Sequence, residues 1–302
     1  MNYKPGEGLK AMYRNWLTEI AAEPDMELPG LREIFDHWGD VTAEPGETDY
    51  IEVDADGVPA LWAVPKGACE DRVLLCTHGG GYVVGSMYSH RKLFGHIARA
   101  VGCRALIVHY RRAPESPHPG PVSDVVQAYA WLIRNGLDPA HIAFTGDSAG
   151  GGLAVTAMLL ARERGLPLPA ASMPMSPWLD MDASDPTYDV NREKDVLVSR
   201  EIIRNMAAHL LGDGDRADPL ANPLHANLAG LPPLLIQVGG DEALLGDSRA
   251  LDARARDAGI DVTLEEYPGM QHVFHFLAGR GGPADEAIAR MAEWVRPKLR
   301  LG

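Results

Sequence analysis

The chain has 302 residues, 46% of them hydrophobic, and a formal net charge of −14. That length accommodates one large α/β domain or two small ones with a sizeable core. The negative balance argues against nucleic acid and anionic membrane surfaces, which need a basic footprint, and disfavours strongly anionic substrates.

Residues 8–22 place Leu9, Met12, Tyr13, Trp16, Leu17 and Ile20 at helical spacing, and a second short helix is predicted over 31–38. Both precede the first strand and are expected outside the sheet. Residues 49–53 and 58–64 alternate as strands around the turn Asp54-Ala55-Asp56-Gly57, an antiparallel hairpin. Apolar strands then alternate with helices. Strands are predicted over 73–76, 104–110, 142–145 and 170–175, with helices over 90–101, 122–135 and 148–164. Residues 184–230 interrupt this rhythm with no strand, a helical segment over 200–211 and an irregular exit containing Pro219 and Pro223. A connection this long is usually functional in a compact domain. Strands over 234–238 and 262–267 and helices over 246–258 and 284–299 complete the chain. The alternation predicts an α/β fold with a mostly parallel sheet covered on both faces. Residues 1–44 and the insertion 184–230 are expected to form a cap on a catalytic domain spanning 45–302.

Cys69, Cys76 and Cys103 are odd in number and have no metal-site spacing. They fit a reducing cytoplasm. The start, Met1-Asn2-Tyr3-Lys4-Pro5-Gly6, lacks the apolar core of a signal peptide, and the apolar run over 153–161 is too short to span a bilayer. A cytoplasmic protein without a membrane span is expected.

Four stretches carry chemistry. Gly146-Asp147-Ser148-Ala149-Gly150 is a Gly-x-Ser-x-Gly elbow between a predicted strand and a predicted helix, the context in which a serine hydroxyl is lifted off a sheet. The helix N-terminus points its free N–H groups at the attack site, and that of Ala149 is an expected oxyanion donor. His78-Gly79-Gly80-Gly81 follows the third strand, where Gly80 and Gly81 are expected to supply the other donors. His78 is expected to brace this loop rather than act as the base. Asp241 closes the run 234–240 and is the expected acid, with Glu242 and Asp247 as rivals. His272 lies beyond the last strand and is the expected base, with His275 as its alternative. The order Ser148, Asp241, His272 is that of the α/β-hydrolases. Tyr82, Trp178, Trp16 and Met206 are candidate substrate-binding residues, and Phe35, Trp38 and His209 further candidates for the lid.

These residues resemble the hormone-sensitive-lipase-type carboxylesterases, bacterial family IV of the lipolytic enzymes, from about residue 45 onward. The resemblance rests on His78-Gly79-Gly80-Gly81 with Gly146-Asp147-Ser148-Ala149-Gly150-Gly151, on Tyr110-Arg111-Arg112-Ala113-Pro114-Glu115, where Arg112 replaces a leucine, and on Ser176-Pro177-Trp178-Leu179-Asp180. Two departures stand out. Asp241 is not followed by the frequent proline, and Val273 stands where glycine is common. The resemblance implies an eight-stranded sheet, a helical cap, hydrolysis of short- to medium-chain soluble esters through an acyl-enzyme, and no cofactor or metal. The expected partners are a small-molecule ester or a monoterpene-type lactone and, in a homodimer, a second copy of the chain. A non-catalytic binding protein on this scaffold, as the plant gibberellin receptors are, would discard nucleophile or base, and Ser148, Asp241 and His272 are all present. A lyase or amidase using the same residues is the remaining rival class.

Overall fold

Alternating apolar runs and helices become one eight-stranded sheet in the computed structural model, which describes residues 7–302. Residues 1–6, the start in which no signal-peptide core is expected, lie outside the described residues. Helices α1 (Glu7–Ala22) and α2 (Leu28–Asp36) come first. They are followed by β1 (Thr48–Asp54), β2 (Pro59–Pro65), β3 (Cys69–Thr77), α3 (Arg91–Val101), β4 (Cys103–Val108) and α4 (Gly120–Arg134). Next are β5 (Ile142–Asp147), α5 (Ala149–Glu163), β6 (Ala171–Met175), α6 (Thr187–Val190) and α7 (Arg200–Leu211). The chain closes with β7 (Leu234–Gly239), α8 (Leu245–Asp257), β8 (Val262–Tyr267) and α9 (Pro283–Val295).

The strand order is β1-β2-β4-β3-β5-β6-β7-β8, antiparallel at β1–β2 and β2–β4 and parallel elsewhere. Every residue of β5, β6 and β7 is buried, as expected for parallel strands under helices on both faces. The chain leaves β3 for β4 on one side and returns to β5 on the other. Such a reversal opens a crevice at the carboxyl ends of the two diverging strands. Thr77 pairs with Gly146 across β3 and β5, so the glycine loop after β3 and the serine after β5 emerge side by side.

The N-terminal helices are fastened by aromatic packing. Trp16 lies 5.0 Å from Phe35 and Phe35 5.2 Å from Trp38, ring centre to ring centre, and Trp38 stacks on Phe276 beyond β8 at 5.4 Å. Full burial of one such side chain contributes roughly 1.5–3 kcal/mol. Helix α7 begins where the Ser199 hydroxyl accepts the Ile202 N–H, an N-cap for one of the otherwise unpaired donors. No helix among the described residues is long and apolar enough to cross a membrane.

Candidate active site

Ser148 occupies the turn between β5 and α5 with φ 54° and ψ −121°, a region L-residues rarely adopt. The turn survives because its neighbours have no side chain. A Cβ on Gly146 would strike the Gly150 carbonyl and Thr77, and one on Gly150 would sit inside the Thr77 and His78 carbonyls. The Ser148 N–H donates to the Met175 carbonyl at 2.9 Å, and the Ser148 carbonyl accepts from Gly152 at 3.0 Å and Trp178 at 2.9 Å. Main-chain bonds thus fix the elbow on three sides. Its hydroxyl lines a cavity over the strand ends.

The glycine loop after β3 turns tightly, with φ 110° at Gly80 and 60° at Gly81. The Gly80 carbonyl accepts the N–H groups of Val83 and Val84 at 3.0 and 2.9 Å. Among the described residues the Gly80 and Gly81 N–H groups have no partner, and both glycines line the cavity with Ser148. The Ala149 N–H opens α5 and lacks a helical partner by position. Asp147, fully buried, accepts the Gly79 N–H at 3.1 Å and faces His90 Nε2 at 3.3 Å. His78 is a brace. Its Nδ1 bonds the Gly79 carbonyl at 2.8 Å, its ring stacks on Tyr110 at 4.1 Å, and burial holds its pKa well below the ordinary histidine value.

The carboxylate that meets His272 stands one residue beyond the expected Asp241. His272 Nδ1 meets Glu242 Oε2 at 2.8 Å, both side chains buried. Asp241 instead turns outward, half-shielded, with its carboxylate 3.7 Å from Lys10 Nζ on α1. One cause is local. The Gly239 N–H donates to Glu242 Oε1 at 2.6 Å, and a Cβ at Gly239 would come within 2.8 Å of that oxygen. The turn therefore folds the longer carboxylate back over the end of β7, while the Asp241 N–H is taken by the Met270 carbonyl at 3.1 Å. The other rival, Asp247, is buried on α8 and accepts the N–H groups of Leu179 and Asp180, away from the imidazole. His275 bonds Gln237 at 2.9 Å, is pushed by burial down to about 3, and does not reach the cavity.

Two supports of this pair are not among the candidate residues of the sequence. The Ser176 hydroxyl donates to Glu242 Oε1 at 2.6 Å and accepts the Val273 N–H at 3.2 Å, joining acid and base loops at the end of β6. Its signal was the Ser176-Pro177-Trp178 stretch at a strand end. The Tyr13 hydroxyl donates to the His272 carbonyl at 3.0 Å and accepts the Trp38 indole N–H at 3.2 Å, so α1 holds the histidine's main chain. Nothing in a helical apolar stripe singles out that phenol.

Burial raises the Glu242 carboxyl above the usual carboxylate range, against the hydrogen bonds from His272 and Ser176. Burial alone would lower His272. The bond to Glu242 and the charges of Glu242, Asp195 and Asp147 outweigh it and leave the imidazole above its ordinary value. With Nδ1–H committed to the carboxylate, the neutral ring keeps Nε2 as its acceptor.

The cavity measures about 320 Å³. Ser148, His272, Gly80 and Gly81 form its floor, and Leu17, Ile20, Leu28, Leu31, Phe35 and Trp38 from the N-terminal segment form one wall. Leu197, Val198, Ile202, Ile203 and Met206 of the segment before and within α7 form another wall, with Asn205 and His209 also lining the cavity. Of the four proposed substrate contacts, Trp178 and Met206 line this space. Trp16 and Tyr82 do not. Trp16 is 6% exposed behind Phe35 and Trp38, and Tyr82 is 2% exposed with its ring 5.4 Å from Trp178. Both rings are spent on packing, Trp16 among Tyr13, Phe35 and Trp38 and Tyr82 against Trp178.

Residues 74–276 match the model of a family described by the alpha/beta hydrolase fold. An acetyl-hydrolase of Streptomyces hygroscopicus is 40% identical over 272 residues, covering 84% of this chain and 90% of its own. An ethyl acetate hydrolase of Pseudomonas putida is 30% identical over 232 residues, covering 75% and 73%. A crystallised esterase of the bacterial hormone-sensitive lipase family superposes with a TM-score of 0.93 at 43% identity, covering 99% of this chain and all of its own. The chain belongs to the α/β-hydrolase family and stands with its bacterial hormone-sensitive-lipase-type esterases.

Proposed function

We propose that the chain is a serine carboxylic-ester hydrolase whose nucleophile is Ser148, base His272 and acid Glu242. The observation that carries this reading is the 2.8 Å bond from His272 to buried Glu242 in a cavity whose floor also presents Ser148 and two unpaired glycine N–H groups. Ser148 Oγ attacks the ester carbonyl and His272 Nε2 takes its proton. The carbonyl oxygen becomes an oxyanion facing the N–H groups of Gly80, Gly81 and Ala149, each such donor worth roughly 3 kcal/mol. Collapse of this intermediate expels the alcohol, which receives the proton from His272. Water, deprotonated by the same nitrogen, then attacks the acyl-enzyme, and collapse releases the acid and restores Ser148. Glu242 holds the tautomer and stabilises the imidazolium at each stage.

The apolar cavity of about 320 Å³ suits the acyl part of a short- to medium-chain soluble ester. Of the expected cap, 1–44 and 184–230, the described residues 7–44 and 184–230 set this limit on a catalytic domain of 45–302. The test is labelling of Ser148 by a serine-directed phosphonate, located by mass spectrometry, with p-nitrophenyl acetate and butyrate turnover measured alongside. Labelling at Ser148 that abolishes turnover is expected. Turnover that persists after full labelling overturns the assignment.

A further inference from the structure

One buried carboxylate beside the acid and base has no part in the mechanism above. Asp195 lies between α6 and α7 and is 7% exposed. Its Oδ1 accepts the N–H groups of Leu197 at 3.0 Å and Val198 at 2.8 Å, and its Oδ2 accepts that of Ala243 at 2.8 Å. Leu197 and Val198 belong to the cavity wall, and Ala243 follows Glu242 in the acid turn. A buried carboxylate is tolerated only when its lone pairs are met, and here all three donors are main-chain groups of functional segments.

The neighbours repeat the pattern. Asn191 Nδ2 donates to the Gly240 carbonyl at 3.2 Å and the Glu242 carbonyl at 2.8 Å. The Val196 N–H donates to Gln271 Oε1 at 3.1 Å, and Gln271 Nε2 donates to the Lys194 carbonyl at 2.9 Å. Gln271 directly precedes His272. The segment 191–198 therefore grips the acid turn on one side and the base loop on the other, then continues as the cavity wall.

We infer that Asp195 is a positioning residue of the reaction, tying the cavity wall at Leu197 and Val198 to the acid turn so that the substrate-facing segment also seats Glu242 on His272. This inference rests on the reading of Ser148, His272 and Glu242 given above. Its electrostatic side is separable from its mechanical one. Glu242 of the acid turn contacts His272, and the charges of Asp195 on the 191–198 segment and Asp147 at the elbow also raise it, with the neutral His275 on its own loop. From α1 come the Tyr13 phenol and, farther out, Lys10 paired with Asp241. Burial raises the Asp195 carboxyl, against the charge of His272 and its three main-chain bonds, and in its ionised form it is one of three negative charges that hold the imidazole up.

Asp195→Asn separates the roles. The amide oxygen can still accept from Leu197 and Val198, but its NH₂ then opposes the Ala243 N–H, donor against donor. Opposed donors at this point should unseat the acid turn, with an expected loss of kcat of about 10–100-fold. KM for p-nitrophenyl butyrate should stay within about threefold, because the apolar wall is intact. Loss of the negative charge should also move the acidic limb of kcat/KM down by about half a pH unit or more. Asn191→Ala removes the uncharged grip on the same turn and should lower kcat several-fold while leaving the limb in place.

Activities are normalised to Ser148 sites titrated to completion with phosphonate. The coupling is overturned if folded Asp195→Asn keeps more than half of kcat, or loses activity with an unmoved limb. If Asp195→Asn does not fold, unchanged kcat in both Asn191→Ala and Gln271→Ala overturns it. Failure of Ser148 to label in the wild type strikes the hydrolase reading instead. Labelled Ser148 and a crippled Glu242→Gln beside an unaffected Asp195→Asn strike the coupling alone.

Discussion

The serine elbow and the acid turn sit at the ends of β5 and β7, two strands apart, and are held by different means. At the elbow the main chain does the holding. Gly146 and Gly150 press against backbone carbonyls and Thr77, and Ser148 is fixed by its own N–H and carbonyl. At the acid turn the main-chain bonds of Gly240 and Asp241 are joined by a side-chain network. Glu242, Ser176, Asn191 and Asp195 supply the bonds that fold residues 239–243 over the strand end. Close backbone packing admits a single local solution, because any Cβ is a collision. A side-chain network can be satisfied by a carboxylate from more than one position, so the acid is free to shift along the turn while the nucleophile is not.

The largest effects should come from the elbow. Ser148→Ala should lower kcat/KM by about 10⁴-fold or more with the fold intact, as measured by ester turnover and circular dichroism. Gly150→Ala should be worse for the protein as a whole. It forces a Cβ into main-chain carbonyls that cannot rotate away, with an expected loss of about 3 kcal/mol or more in urea unfolding. A Gly150→Ala protein of wild-type stability would show that the elbow is softer than this comparison holds.

The acid turn comes next. Glu242→Gln should reduce kcat by about 10³–10⁴-fold, since the amide cannot stabilise the imidazolium and can favour the wrong tautomer. The same pair sets the pH profile. His272 accepts the serine proton only when neutral, and its pKa lies above the ordinary value. Activity should therefore fall as pH drops through a limb above ~6.5, the unperturbed histidine value. In Glu242→Gln the residual activity should show that limb at lower pH. A limb unmoved by this substitution would detach Glu242 from His272.

This contrast also explains what could be read from the residues. The eight strands, the elbow and the glycine loop are legible because apolar runs and glycines report backbone needs directly. His272 follows from its place after the last strand. The acid did not, because Asp241 and Glu242 are adjacent carboxylates and their difference lies in which way a turn faces. That direction is set by bonds from Ser176, Asn191 and Asp195, far away in the chain. Trp16 and Tyr82 were misplaced for a similar reason. An aromatic residue on a cap helix or a glycine loop has the same composition whether it faces a cavity or a neighbouring ring.

Asp247 provides a smaller effect of a different kind. Burial pushes its carboxyl up to about 7, against bonds from the Asp180 and Leu179 N–H groups. An acid whose folded pKa exceeds its unfolded value of ~3.9 binds protons more tightly in the native state. Its contribution is complete below the unfolded value and is lost as pH rises through the folded one. Thermal stability should thus lose ground between about pH 4 and 7 from this group, and Asp247→Asn should flatten that slope. Because the carboxylate does not touch His272, kcat should stay within about threefold of wild type. A hundredfold loss of kcat would return Asp247 to the catalytic set.

The smallest effect belongs to Asp241, which stands closest in sequence to the acid. Its carboxylate is 22% exposed and 3.7 Å from Lys10, itself 29% exposed. A solvent-screened pair at that separation contributes about 0–1 kcal/mol. Its main-chain N–H, bound to the Met270 carbonyl, is indifferent to the side chain. Asp241→Asn should therefore leave kcat within about twofold and the melting temperature within about 2 °C. Measured beside Glu242→Gln under the same conditions, it tests the one-residue shift itself. A loss in Asp241→Asn comparable to that in Glu242→Gln would mean that the turn rotates in solution and presents either carboxylate to His272.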